Sequence, residues 1–188
     1  MNRDTSKRPI ALLAVDLAIA NAGVQEVGEN RGKAVEAYQA SCVPPLPPGS
    51  PWCAAVVRFR YKQAATQLGL TYDKTFPRTG YTPNYSAWAK QTGKWITKNV
   101  LESLGTETLN KSVLPGDLVC FYMKSLGRIA HIGVVISVES WGCVTMEGNT
   151  SPEPSDELSV ERDGDGYYRK ERTWSELGEW GGVVQVDF

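Results

Sequence analysis

Apolar residues recur at helical spacing near the start of the chain and at strand spacing after Leu114. Ile10 to Ala20 predicts one amphipathic helix, and Arg31 to Ala40 a second with Ala34, Val35, Ala37 and Tyr38 as its apolar positions. Glu26-Val27-Gly28-Glu29-Asn30 is the turn between them. Val43 to Pro51 holds five prolines, which exclude helix interior and central strand, so it predicts an extended connection. A third helix follows from Trp52 to Leu68, with Ser50 as its cap and Pro51 in the first helical position. Cys53, Val57, Tyr61, Ala64 and Leu68 form its core stripe, Arg58 and Lys62 point elsewhere, and Gly69 ends it. Cys53 therefore falls in the first turn, on the core-facing side.

Residues 70 to 113 are less regular, and their pattern supports one short helix from Pro83 to Thr92, with Thr82 as cap and Gly93 as terminator. Phe76, Tyr81, Tyr85, Trp88 and Trp95 in this stretch suit either a groove or a sub-core, and the sub-core is the simpler reading. After Leu114-Pro115-Gly116 the period shortens to two. Asp117 to Met123, Ala130 to Val138, Cys143 to Glu147, Tyr167 to Arg172 and Val183 to Val186 predict strands. Helices first and strands afterwards indicate an α+β domain with an antiparallel sheet.

Composition narrows the function classes. The 188 residues suit a single domain, 1–188, with residues 1–25 as a helical extension at the N-terminus. Twenty basic and 21 acidic residues leave a net charge of −1, which gives no electrostatic reason to bind nucleic acid or an anionic membrane. The basic start and the apolar run from Ile10 resemble a secretory signal, but Asp16 interrupts the run, and nothing approaches the ~18 apolar residues of a membrane span. The expectation is a protein made in the cytoplasm without a recognisable signal peptide. Four cysteines without CxxC spacing and a single histidine are too few for a structural zinc site. Cys120 and Cys143 read as small buried hydrophobes, and a Cys42–Cys53 disulfide is allowed by count alone. Neither cofactor nor metal is expected.

Three residues carry candidate chemistry. A lone cysteine on a helix stripe is more often core than catalyst, and a helix N-terminus lowers a thiol pKa by less than about one unit. A histidine changes that balance. His131, the single one in the chain, starts an apolar strand and shares a face with Gly133, Val135 and Ser137, where Gly133 leaves room beside the imidazole. On the next strand Cys143, Thr145, Glu147 and Asn149 alternate on one face. If residues 139 to 141 form the hairpin loop, Gly133 opposes Glu147 and His131 opposes Asn149; a register two residues shorter sets His131 against Glu147. Either register offers a carboxylate or an amide to orient the imidazole, the third role in a Cys-His centre.

These segments resemble a known family. Pro51-Trp52-Cys53-Ala54-Ala55 is similar to the nucleophile motif of the CHAP family, the cysteine, histidine-dependent amidohydrolases/peptidases. Leu114-Pro115-Gly116-Asp117-Leu118-Val119 resembles the strand preceding the catalytic histidine in CHAP and NlpC-type peptidases, and Ala130-His131-Ile132-Gly133-Val134-Val135 the histidine strand. Glu147-Gly148-Asn149-Thr150 resembles the strand of the third residue, and Gly164-Asp165-Gly166-Tyr167 with Arg172 the closing hairpin of phage-type members. The likeness runs from about Glu26 to the C-terminus.

The resemblance implies a papain-like fold, with N-terminal helices on an antiparallel sheet and the nucleophile at the start of a central helix. It implies hydrolysis of bacterial peptidoglycan, as an N-acetylmuramoyl-L-alanine amidase or an endopeptidase. Cys53 would be the nucleophile, His131 the base, and Glu147 or Asn149 the orienting residue, with backbone N–H groups at the helix start as oxyanion donors. Some members bind calcium before the cysteine, but here that segment is rich in proline and lacks carboxylates, so none is expected. Asp163-Gly164-Asp165-Gly166 lacks the further ligands of a calcium loop and reads as a hairpin turn. Family habit suggests a phage endolysin, or an effector delivered to the wall by another machine. Two alternatives stand beside this: a cysteine peptidase toxin with a non-wall substrate, and a catalytically silent binding protein of the same fold.

Overall fold

A computed structural model describes residues 3–152 and 164–188. Its six strands are β1 (Trp95–Thr97), β2 (Leu118–Met123), β3 (Arg128–Glu139), β4 (Gly142–Thr150), β5 (Gly166–Thr173) and β6 (Gly182–Val184). They form one antiparallel sheet in the order β1-β6-β2-β3-β4-β5. Period-two alternation divides the strand residues between two cores. Leu118, Cys120, Ile132 and Val134 face the helices α1 (Pro9–Ile19), α3 (Cys53–Leu68) and α4 (Pro83–Gln91). Val119, Phe121, Val135 and Cys143 face the short helices α5 (Lys98–Ser103) and α6 (Thr106–Ser112) and the 3₁₀ turn Trp174–Leu177. A third cluster joins α2 (Lys33–Ala40) to Trp52, Val56 and Met146. The α+β, antiparallel class follows directly from these elements.

The segment read as an N-terminal extension is built into the main core. Ile10, Ala11, Ala14, Val15 and Ala18 are buried at helical spacing, and the Ala11 N–H donates to the Phe188 carbonyl at 2.8 Å. None of the helices among the described residues is long and apolar enough to cross a membrane.

The helices differ from expectation in instructive places. α3 begins at Cys53, so Pro51 lies before the helix and Ser50 does not cap it; Trp52 is the cap residue. Arg58, off the expected core stripe, is nevertheless buried, as is Arg60, because α3 is enclosed by α1, α2 and the sheet, whereas Leu68 near the helix end is exposed. Thr82 precedes α4 but makes no side-chain cap, since its hydroxyl donates to the Ile129 carbonyl at 2.9 Å and ties α4 to β3. α5, α6 and β1 escaped the sequence pattern because each is short, and each of the two helices buries one side chain, Leu101 and Leu109.

The β3–β4 hairpin turns at Ser140 and Trp141, with Glu139 opposite Gly142, so its loop is shorter than 139–141. An irregularity at Ile136 absorbs the difference and restores Gly133 opposite Glu147. All four cysteines are free, so Cys42 and Cys53 are not bridged. Phe76, Tyr85 and Trp88 are core, whereas Tyr81 is 48% exposed. The Gly164 N–H donates to the Asn149 carbonyl at 3.2 Å at the end of the sheet, while Asp163 of the same motif lies outside the described residues.

Candidate active site

Cys53 is the first residue of α3, where the opening N–H groups of a helix have no intrahelical partners. Asn149 fixes that helix start. Its Oδ1 accepts the Trp52 N–H at 2.8 Å, its Nδ2 donates to the Gly164 carbonyl at 3.1 Å, and its backbone is left-handed at φ 61°. The Trp52 indole donates to Glu26 at 3.0 Å. Glu26 thus braces the neighbour of Cys53, and Glu29 is exposed.

His131 and Glu147 meet diagonally across β3 and β4. Nε2 of His131 lies 2.9 Å from Glu147 Oε2, and both side chains are fully buried. Gly133, directly opposite Glu147, makes this reach feasible: a Cβ there would stand 2.7 Å from Glu147 Cγ. Of the two expected orienting residues, Glu147 holds the imidazole and Asn149 holds the helix start.

Three further bonds hold the Glu147 carboxylate. Thr145 donates at 2.6 Å, and Arg172 donates from Nε at 2.9 Å and from Nη2 at 2.8 Å. A buried carboxylate is costly unless its lone pairs are satisfied, and here all four contacts come from donors or an ionisable ring. Burial alone would raise its pKa. The Arg172 charge overrides that and, with His131, holds it well below the usual carboxylate range. Arg172 in turn stays firmly charged between Glu147 and Glu176.

The second imidazole nitrogen, Nδ1, is buried and has no conventional hydrogen-bond partner. It is the nitrogen left for the thiol. Burial pulls the His131 pKa down, but interactions with Cys53 and Glu147 outweigh it and push it up to about 9. The ring is flanked by Phe121, whose centroid is 5.5 Å away, and the Arg172 guanidinium lies 5.3 Å from that same phenyl ring. A cleft of about 230 Å³ opens beside Cys53, bordered by Pro51, Tyr81, Arg128 and Ala130.

Comparison with known proteins finds no matching family model, curated protein or solved structure.

Sequence reasoning brought Cys53, His131 and Glu147 to one place but missed the work of Arg172. That residue stands opposite Cys143 on β5, so its long side chain reaches along the sheet face past Thr145 to Glu147. The β4–β5 register that brings it there leaves no mark in the pattern of either strand. Thr145 had a signal: it lies two residues before Glu147 on the same strand face, where a hydroxyl naturally meets a carboxylate.

Proposed function

We propose that this chain is a cysteine-dependent hydrolase of amide bonds in bacterial peptidoglycan, with a papain-like arrangement of CHAP type. The observation that carries the reading is one buried imidazole bonded through Nε2 to a carboxylate, its Nδ1 unpartnered, with a thiol at a helix start near enough to raise the ring's pKa. The wall substrate comes from the motif resemblance.

In this reading Cys53 Sγ attacks the carbonyl carbon of the amide while His131 carries the thiol proton. The resulting oxyanion is stabilised by N–H groups at the start of α3. Collapse breaks the C–N bond, His131 protonates the departing amine, and a thioester remains on Cys53. Water then attacks the thioester, His131 accepts its proton, and the new carboxylic acid leaves with the thiol restored. An imidazole that keeps its proton up to about pH 9 suits the acid step. Glu147 keeps the ring oriented, and Arg172 keeps Glu147 ionised.

Mass spectrometry of purified peptidoglycan digested with wild type and with Cys53→Ala tests the proposal. New termini that appear with wild type alone are expected, and they would name the bond. Equal products from both proteins would rule out Cys53 as nucleophile. No products from several wall chemotypes would remove the wall substrate.

A further inference from the structure

The cleft beside Cys53 is bordered by one charged side chain, Arg128, at the start of β3 and three residues before His131. Its other walls include Leu46, Pro51 and Ala130, which are apolar, together with Ser50 and Thr82. The guanidinium lies 5.3 Å over the Tyr81 ring, and Nη1 donates to the Ile129 carbonyl at 2.9 Å. That is its single hydrogen bond among the described residues, of the five N–H donors an arginine offers. No carboxylate among the described residues forms an ion pair with it. The contrast with Arg172, Arg3 and Arg8 is direct, since each of those is matched to an acid.

A half-buried cation held by an aromatic face beside a nucleophile has a chemical counterpart. The planar fork of a guanidinium matches a carboxylate in two parallel hydrogen bonds, and apolar walls strengthen the attraction by limiting solvent. We propose that Arg128 determines specificity by receiving a free carboxylate of the substrate adjacent to the scissile amide. The preferred substrate class is then an acidic peptide rather than its amidated counterpart. The proposal rests on the hydrolase reading of Cys53 and narrows its substrate.

Two measurements test it. The first compares hydrolysis of paired stem peptides that differ in one group, carboxylate or carboxamide. Wild type should favour the carboxylate by about tenfold in kcat/KM, mostly through KM, the size of a charge-assisted hydrogen bond. Arg128→Met should narrow that ratio to about one, and Arg128→Lys, which keeps the charge but not the fork, should fall between. A full preference retained by Arg128→Met would overturn the proposal.

The second measurement needs no turnover. Iodoacetate and iodoacetamide differ in charge but both alkylate thiols, so their relative rates at Cys53, read by peptide mass spectrometry, report on the local field. The iodoacetate-to-iodoacetamide ratio should drop several-fold in Arg128→Met; an unchanged ratio would overturn the anion site. A dropping ratio in a protein that cleaves no wall peptide would remove the hydrolase reading and leave the anion site standing. An unchanged ratio with intact cleavage would do the reverse.

Discussion

At Glu147 a fully buried carboxylate accepts from Thr145 and Arg172 and touches His131, and the consequences pass to the imidazole. Folded His131 binds its proton more tightly than a free histidine near 6.5, because its interactions with Cys53 and Glu147 outweigh the burial that opposes it. The chain has one histidine, so its imidazole resonances are unambiguous by NMR. Their titration midpoint should lie near 9 in wild type and shift downward in Cys53→Ala. The same midpoint in both proteins would mean that the thiol and ring are uncoupled. The linkage has a defined sign. A raised folded pKa contributes stability that is fully present below about 6.5 and is lost as pH rises through about 9. Glu147 acts oppositely: its lowered pKa contributes stability that is present above the ordinary carboxylate range and is lost as pH falls through and below it.

The β3–β4 hairpin and the start of α3 together make the site. Gly133 is the position where their geometry is tightest. An added methyl would stand 2.7 Å from Glu147 Cγ and 3.2 Å from the Met146 carbonyl, so Gly133→Ala should push the carboxylate off the imidazole. A displacement of this kind costs about 10²-fold in kcat, while the protein should remain folded by circular dichroism. Wild-type kcat in Gly133→Ala would contradict the role assigned to Glu147. Much of this element-level design was legible in the sequence. The alternation His131, Gly133, Val135 and the glycine opposite Glu147 are local properties of two adjacent strands, and a short hairpin limits the registers to a few. Arg172 was not legible in this role, because its strand reaches β4 through a connection whose length does not set a register. The buried face of Arg58 was hidden for a similar reason: periodicity marks the strongest apolar stripe of a helix, whereas α3 is covered on several sides.

Across the whole molecule, the two chain ends converge on Asp117 at the start of β2. Its buried carboxylate accepts from Arg8 Nη2 at 2.7 Å, Arg3 Nη2 at 2.8 Å and the N–H groups of Leu114 and Val186 at 2.9 Å each. The motif Leu114-Pro115-Gly116-Asp117 thus knots the N-terminal segment, the strand entry and the C-terminal segment together. Asp117→Asn would leave the buried Arg8 charge uncompensated, a change of about 3–5 kcal/mol, and should lower Tm by about 10 °C. A shift under about 2 °C would show that the knot is not a major source of stability. The same architecture supplies internal controls for the central claim. Cys42, Cys120 and Cys143 are buried free thiols, and burial pushes Cys42 up to about 11 and Cys120 and Cys143 higher still. Cys53 is buried too, but it lines the cleft and interacts with the His131 imidazole. The most direct measurement is therefore the rate of iodoacetamide labelling at each cysteine of the folded protein at pH 7, in wild type and in His131→Ala. A working Cys53–His131 centre predicts that Cys53 labels fastest, and that losing the imidazole slows it about tenfold or more. Labelling of Cys53 no faster than the other three thiols, or a rate indifferent to His131, would contradict it.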